Sequence, residues 1–226
     1  MKFTVITLFP ELITQICSES IIGRAQNKGL LTLRTVNPRQ FTADVHHKVD
    51  DTPYGGGPGM VMMCQPLLDA WQHIQPLPSN HRVMMLSPWG TPFKQPMAHA
   101  LAQVDELVLI CGHYEGVDAR ILELIPNLEL LSLGDFVLTG GELPAACLID
   151  AVGRLLPGVL GHQESSHHES FENSRLEYPQ YTKPATINGL AVPDVLRSGN
   201  HQAIADWRRQ AAETVTKQYR PDLLCQ

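Results

Sequence analysis

Short apolar runs alternate with helix-like stretches along most of this chain. Residues 3–8 (FTVITL) predict a β-strand, and Pro10 predicts the start of a helix, because proline suits the first helical turn. A second helix is expected over about residues 18–28, with Gly29 closing it in the left-handed conformation. The apolar residues of LLTLRTVN then predict a strand over residues 30–37. The chain therefore opens as a strand, two helices and a strand.

Three further units follow, each made of an apolar run, a glycine-bearing loop and a helical pattern. The loops are SPWGTP after RVMML, CGHYEG after ELVLI, and LGDFVLTGGE after LELLS. This alternation predicts an α/β fold with a largely parallel sheet. Ligands of such sheets bind beyond the carboxyl ends of the strands, so the three loops are expected to outline one pocket. The periodicity alone predicts an unknotted sheet, since knotted chains are rare.

The stretch from residue 38 to residue 60 has no regular period and ends in the glycine-rich segment DDTPYGGGPGM. This segment follows a loop instead of a strand, and no lysine follows its glycines, so it does not predict a P-loop. No GxGxxG fingerprint follows a strand elsewhere. We interpret residues 38–60 as a mobile loop whose last segment, PYGGGPGM, is a flexible lid over a bound substrate. A helix is expected to follow over residues 66–74.

The last third of the chain has a different organisation. A polar stretch over residues 158–175 marks a boundary, so we expect a domain over 1–160, a linker over 161–175 and a small helical domain over 176–226. One face of the long helical pattern in the last domain carries Ile204, Trp207, Ala211 and Val215.

Charge and cysteine content limit the classes of partner and compartment. The formal net charge is −6, but residues 176–226 contain six Lys and Arg against five Asp and Glu, which makes this tail the better candidate for phosphate contacts. Five scattered cysteines without a CxxC pair indicate a reducing compartment. The chain shows no signal peptide and no apolar window long enough to span a membrane. We therefore expect a cytoplasmic protein with no membrane partner.

Histidine pairs raise the question of a metal site. Adjacent residues such as His46 and His47 cannot easily point at one ion, the same holds for His167 and His168, and HExxH does not occur, so no metal ligand is predicted. Cys111 is interpreted as a packed residue at a strand end and not as a nucleophile.

Eight long segments, in order, resemble one known family over nearly the whole chain. They are DDTPYGGGPGM, LSPWG, CGHYEGVDAR, SLGDFVLTGGELPA, LLPGVLG, ESF, LEYPQYTKP and VLRSGNHQAIADWR. The sequence is similar to the bacterial tRNA (guanine-N1)-methyltransferases. The resemblance implies a SPOUT-type α/β domain with a deep trefoil knot, a small mostly helical C-terminal domain, and a homodimer that acts on tRNA. It further implies methyl transfer from S-adenosylmethionine to N1 of the guanosine at position 37, 3′ of the anticodon.

The resemblance also implies which residues contact the methyl donor, and they lie on the three loops predicted above. These are Leu86, Ser87, Pro88, Gly112, Tyr114, Glu115, Gly116, Ser132, Leu133, Gly134, Asp135, Phe136, Val137, Leu138, Gly140, Gly141 and Pro144. Residues expected to contact the RNA are Asp50, Tyr54, Gly59 and Arg208. The resemblance also makes Mg²⁺ a possible cofactor, but the sequence offers no ligand set for it.

Methylation of guanine N1 needs a base that removes the proton and a cation that offsets charge at O6. By resemblance the base is a carboxylate before a Ser-Phe pair, where this chain has Glu169 instead of the family's aspartate, and the cation is Arg154. His168 and Glu172 are the alternatives for the base. His113 and Ala119 also depart from the family, which more often has an arginine and an acid there.

Three other functions remain open at the level of sequence. One is a SPOUT methyltransferase that acts on another RNA position or on a 2′-hydroxyl. The second is a catalytically silent RNA-binding protein, and the third is an enzyme acting on a small nucleotide. Cofactor-dependent methyl transfer to RNA distinguishes them.

Overall fold

A computed structural model describes residues 1–161 and 169–225 and divides the chain into two compact units, Met1–Gly161 and His162–Gln226. His168, the first alternative for the base, lies outside the described residues. Among the described residues, no helix is long and apolar enough to cross a membrane.

The first unit contains seven strands and six helices in the described residues. In chain order they are β1 (Lys2–Ile6), α1 (Pro10–Ser18), α2 (Ser20–Asn27), β2 (Thr32–Val36), β3 (Asp50–Asp51), β4 (Val61–Met62), α3 (Cys64–His73), β5 (His81–Pro92), α4 (Gln95–Leu101), β6 (Glu106–Cys111), α5 (Ile121–Leu124), β7 (Leu128–Ser132) and α6 (Glu142–Gly153).

Five of these strands form one parallel sheet in the order β2-β1-β6-β5-β7. Every residue of β6 is buried, as expected for a central strand covered on both faces. Leu107 and Leu109 pack into one core with α1, α4 and α6, whereas Val108 and Ile110 pack into a second core with α3 and α5. The predicted α/β class with a parallel sheet is confirmed. The predicted knot concerns the path of the chain through its own loops, which strand order does not test, and it stays a prediction.

The predicted helix boundaries at the start of the chain are close to those observed. Helix α1 begins at Pro10, and its buried residues Ile13 and Cys17 are four positions apart, as one face of a helix requires. Gly29 has a φ of +69° and follows α2 as the expected left-handed residue.

The predicted loop after the third parallel strand is wrong in part. Strand β5 continues through this segment to Pro92, and its register against β7 shifts between Leu86 and Thr91. The chain bulges over the intervening residues and returns to the same partner strand. Apolar periodicity could not show this, because Ser87 to Gly90 contains polar and glycine residues that resemble a turn.

The mobile loop predicted over residues 38–60 is less irregular than its sequence indicates. A 3₁₀ helix covers Pro38–Phe41, and β3 pairs with β4 in an antiparallel two-stranded sheet. Gly55, Gly56 and Gly57 between them have positive φ values, so the tip needs residues without a Cβ.

The second unit is built around one long helix, α7 (His201–Tyr219). Two-residue strands β8 (Thr186–Ile187) and β9 (Leu190–Ala191) form a hairpin before it, joined by Asn188 and Gly189, which both have positive φ. The apolar face predicted for α7 is half-buried, and the fully buried residue of this helix is Thr216. Its hydroxyl donates to the Ala212 carbonyl at 2.7 Å and accepts from the Leu176 N–H at 2.9 Å.

Candidate active site

The ends of β5, β6 and β7 meet at one edge of the sheet and surround a cavity of about 330 Å³. Every residue predicted to contact the methyl donor lines this cavity except Asp135. Glycine backbones contribute much of the wall, together with apolar side chains such as Leu133 and Pro144. The expectation that three separate loops outline one pocket is met, because parallel strands bring their carboxyl ends to the same edge.

Other lining residues were not predicted. They are Val61, Met85, Trp89, His113, Val117, Ala119, Leu122, Leu131 and Thr139. Met85 in β5 and Leu131 in β7 lie directly before predicted donor contacts on the same strands, so their positions follow from strand direction. Val61 belongs to β4 and Leu122 to α5, and no sequence pattern connects these elements with the pocket.

Gly141 brings the second and third loops into direct contact. Its N–H donates to the Gly112 carbonyl at 2.8 Å, and a Cβ at this position would lie 2.7 Å from the Cα of Cys111. A larger residue would therefore push α6 away from β6. The double glycine of the sequence serves close packing here as well as the pocket wall.

The glycine-rich segment reaches the second loop through β4. Val61 and Met62 form bridges to Tyr114 and Val117, and the Glu115 N–H donates to the Met60 carbonyl at 2.9 Å. Gly59, predicted to contact the RNA, has a φ of +77°, and a Cβ there would overlap the side chain of Glu115. The segment is thus tied to the cavity at its carboxyl end.

The other two RNA-facing predictions in this segment have different surroundings. Asp50 is half-buried and pairs with Met62 between β3 and β4. Tyr54 is fully exposed at the tip. An aromatic ring held outside the fold is available for stacking on a base.

Arg39, in the 3₁₀ helix at the start of the loop over residues 38–60, contacts the side chain of Tyr114. The Arg39 guanidinium donates to the Tyr114 hydroxyl and to the His47 carbonyl, both at 3.2 Å. Tyr114 has a positive φ of 60°, which is unusual for a residue with a side chain. Arg39 therefore connects the loop over residues 38–60 to a strained residue of the cavity wall.

A buried polar cluster lies behind the cavity. Glu142 is 4% exposed and accepts a hydrogen bond from the Thr7 hydroxyl at 2.8 Å, and its other oxygen lies 3.9 Å from Nδ1 of His113. Burial raises the pKa of the Cys111 thiol well above its usual value, and the negative charge of Glu142 raises it further. This protonated thiol supports the interpretation of Cys111 as a packing residue and not a nucleophile.

Arg154 is half-buried directly after the last residue of α6, and its N–H donates to the Asp150 carbonyl at 3.0 Å. It does not line the cavity. Helix α6 starts at the cavity and contains 12 residues, which is a length of about 18 Å at the usual rise per residue. Within one chain, Arg154 and the pocket are therefore at opposite ends of α6.

Glu169 lies in the second unit at the start of a tight turn. Its carbonyl accepts from the Glu172 N–H at 3.2 Å, and Phe171 and Asn173 both have positive φ values. The guanidinium of Arg220 lies 5.7 Å above the centroid of the Phe171 ring. The sequence ESFENSR gives no helical or strand pattern, and these contacts within the unit define its path.

Arg208, the fourth predicted RNA contact, lies on the exposed side of α7. Its guanidinium lies 4.9 Å from the centroid of the Tyr178 ring, and Trp207 contacts the rings of Tyr178 and Tyr181 from the adjacent position. Stacking on a ring holds the planar guanidinium in place while one face remains open.

Metal binding finds no support in the described part of the chain. Within residues 1–161 and 169–225, no three His, Cys, Asp or Glu side chains are grouped as they would be around an ion.

Comparison with known proteins identifies the family. The family model described as tRNA (Guanine-1)-methyltransferase TrmD matches residues 1–226. A protein named tRNA (guanine-N(1)-)-methyltransferase from Ruminiclostridium cellulolyticum is 53% identical over 224 residues, which are 99% of this chain and 96% of the relative. Proteins of the same name from Lactobacillus helveticus and Clostridioides difficile are 51% and 48% identical, and the matches cover 99% of this chain and 91% and 97% of theirs. The chain therefore belongs to the tRNA (guanine-1)-methyltransferase family.

Proposed function

We propose that this protein transfers a methyl group from S-adenosylmethionine to N1 of the guanosine at position 37 of tRNA. The observation that carries the proposal is the single cavity formed by three strand-end loops, in a chain that matches the family over its whole length. The tRNA substrate and the scattered cysteines favour the cytoplasm as the site of action.

The cavity has the chemistry that the methyl donor needs. Apolar side chains, among them Leu86 and Leu138, can cover an adenine ring, and the glycine backbones allow close approach of amide groups to polar parts of the ligand. Bound S-adenosylmethionine would supply an electrophilic methyl group on its sulfonium. The residues present thus fit the donor. The described residues hold no comparable set of ligands for Mg²⁺.

Two groups of the chain complete the chemistry. The carboxylate of Glu169 removes the N1 proton of guanine, and the guanidinium of Arg154 offsets the negative charge that moves to O6. Glu169 has one methylene more than the aspartate of the family, so its carboxylate reaches about 1.5 Å further from the backbone. Unpaired bases of a tRNA loop are accessible to such groups because they leave their stack at low cost.

We further propose that the active protein is a homodimer in which Arg154 serves the pocket of the partner. Arg154 and the pocket of its own chain lie at opposite ends of α6. The cavity that Arg154 reaches must therefore belong to a second copy of the chain. Helices α1 and α6 also expose a row of apolar residues that a second copy would cover. The row consists of Phe9, Leu12, Ile16, Leu143 and Cys147.

A mixed dimer tests this arrangement. Subunits with Arg154→Ala are combined with subunits in which Leu138→Glu places a charge in the cavity. If Arg154 acts on the partner's pocket, each mixed dimer regains one intact site and about half of the wild-type activity. If Arg154 acts within its own chain, both sites stay inactive and the proposed arrangement is wrong.

The second unit is proposed to hold the tRNA. Four of its seven Lys and Arg side chains form ion pairs with acids of the same unit, between Arg197 and Asp194, Arg209 and Asp206, Lys217 and Glu213, and Arg220 and Asp222. Arg208 instead stacks on Tyr178. This cation is held by a ring and not by an acid, so its charge can act on a phosphate or a base of the tRNA.

The experiment that tests the function measures transfer of a labelled methyl group from S-adenosylmethionine to tRNA transcripts. The matched transcripts carry guanosine or adenosine at position 37. Label on the guanosine transcript alone supports the proposal. Label on both indicates another position or a 2′-hydroxyl, and donor binding without transfer indicates a silent RNA-binding protein.

A further inference from the structure

His113 lies where the second and third loops of the cavity touch. Its backbone forms a bridge with Gly140, and its ring occupies space that a side chain at residue 140 would need. A Cβ on Gly140 would lie 2.5 Å from Nδ1 of His113 and would also overlap the carboxylate of Glu142. The glycine therefore allows the imidazole and the carboxylate to share one small space.

The hydrogen bonds in this space are incomplete. Nδ1 of His113 is buried and has no hydrogen-bonding partner among the described residues. The nearest charged atom is Oε2 of Glu142 at 3.9 Å, while Oε1 of Glu142 already accepts from Thr7. A buried polar atom without a partner is unfavourable, and a small shift of the ring would provide one.

We propose that His113 is a positioning residue whose protonated ring donates from Nδ1 to Glu142, ties the two loops together and strengthens binding of the methyl donor. The inference rests on the proposed function, because it assumes that the cavity binds S-adenosylmethionine. A protonated imidazole beside a buried carboxylate forms a charge-assisted hydrogen bond, which is stronger than a neutral one. The loops that it joins both form walls of the cavity.

The proposal makes donor affinity depend on pH. The titratable groups that face the imidazole are Glu142 from α6 and the adjacent Tyr114, whose ring centroid lies 5.1 Å from that of His113. Cys111 of β6 is near the other partner, since the charge of Glu142 helps to raise the pKa of its thiol. The remaining neighbour, Phe9, does not titrate. Imidazole is the side chain that ordinarily changes charge between pH 6 and pH 8. The protonated form is the one that pairs with Glu142, so affinity is expected to fall as the pH rises through this range.

The test compares the affinity for S-adenosylhomocysteine of the intact protein and two variants between pH 6.0 and pH 8.5. His113→Arg keeps a positive charge at every pH, and His113→Gln has none. We expect the wild-type affinity to fall about tenfold relative to that of His113→Arg over this range, because the imidazole loses its charge and the guanidinium does not. His113→Gln should bind weakly throughout, and His81→Gln, at the start of β5, should follow the wild type.

A second measurement applies even if a variant fails to fold. By linkage, a ligand that favours the protonated ring must draw protons from the buffer when it binds. Calorimetry of the wild type at pH 7.5 in buffers of different ionisation enthalpy should show net proton uptake. Absence of uptake, or equal pH dependence of the wild type and His113→Arg, overturns the role of His113. Failure of the wild type to bind the ligand at any pH overturns the proposed function instead.

Discussion

Gly90 lies directly against the backbone of Leu131, so closely that a Cβ on Gly90 would overlap the nitrogen, Cα and carbonyl carbon of Leu131. This contact occurs where β5 returns to β7 after its bulge, with Thr91 paired to Leu131. The φ of Gly90 is not in the left-handed region, so its backbone conformation does not require glycine. Glycine is required here because the two backbones lie so close together. The bulge holds Ser87, Pro88 and Trp89 at the cavity. The packing of Gly90 against Leu131 therefore helps to shape the candidate active site.

Gly90→Ala is expected to destabilise the protein and to deform the cavity. The added methyl group meets backbone atoms that cannot rotate away, so the free energy of unfolding should fall by about 3 kcal/mol. Denaturant unfolding measures this change. Gly161→Ala is the control, because a Cβ there meets no atom of the described residues within 4 Å, and its stability should be unchanged. Equal stability of both variants would contradict the close contact.

Thr216→Val is expected to loosen the second unit. Valine keeps the shape of threonine but removes the hydroxyl, which leaves the Leu176 N–H without its acceptor. The cost should be about 1–3 kcal/mol, and hydrogen exchange of the α7 amides measures it. Thr214→Val provides the matched control, since the Thr214 hydroxyl donates in the same way to Gln210 but is exposed. Similar exchange in both variants would show that burial of Thr216 has no energetic role.

Glu169→Gln is expected to lower methyl transfer by about 10²–10⁴-fold, because an amide cannot accept the N1 proton. Affinities for S-adenosylhomocysteine and tRNA should not change, and Glu169→Asp should retain activity. Single-turnover transfer measures the chemical step. Glu172→Gln is the matched control from the same turn. If Glu172→Gln loses activity while Glu169→Gln keeps it, the base is Glu172.

Arg208→Ala is expected to weaken tRNA binding and to reduce the slope of log affinity against log salt by about 1, as loss of one phosphate contact requires. Donor binding should be unaffected. Arg209→Ala, next in sequence, should have the smaller effect because Arg209 pairs with Asp206 at 2.6 Å. Filter binding at several salt concentrations measures both variants, and a larger loss for Arg209→Ala would refute the assignment.

Stability should fall at alkaline pH because of buried thiols. Burial, assisted by the charge of Asp150, raises the pKa of Cys17 to about 11 from a usual value of 9.0. Between these values the folded state keeps the proton and the unfolded chain releases it, so rising pH favours unfolding by about 1.4 kcal/mol per unit. Cys17→Ala should reduce this slope in urea unfolding between pH 9 and pH 11.

Local sequence determined the parts of the fold that depend on neighbours along the chain. The apolar runs at β1, β6 and β7 predicted buried strands, and Pro10 and Gly29 marked helix ends, because their backbone preferences act within one or two residues. The three loops of the cavity followed from the direction of parallel strands.

Other features depended on contacts between distant segments. Ser87 to Gly90 resembles a turn, yet β5 continues past it because Leu131 offers backbone partners on both sides of the bulge. Val61 and Leu122 reach the cavity only through the packing of β4 and α5. Thr216 is a polar residue at a buried position of the second unit, where an apolar residue would be expected. Its hydroxyl accepts a hydrogen bond from the N–H of Leu176, 40 residues away.

The sequence by itself thus determined the α/β class, the family and the loops that form the pocket, since these rest on periodicity and on long motifs. Tertiary structure alone decided that Arg154 and the pocket lie at opposite ends of α6, and that His113 shares its space with Glu142. The physical reason is that distance and burial depend on how remote segments pack, which residue order along the chain does not specify.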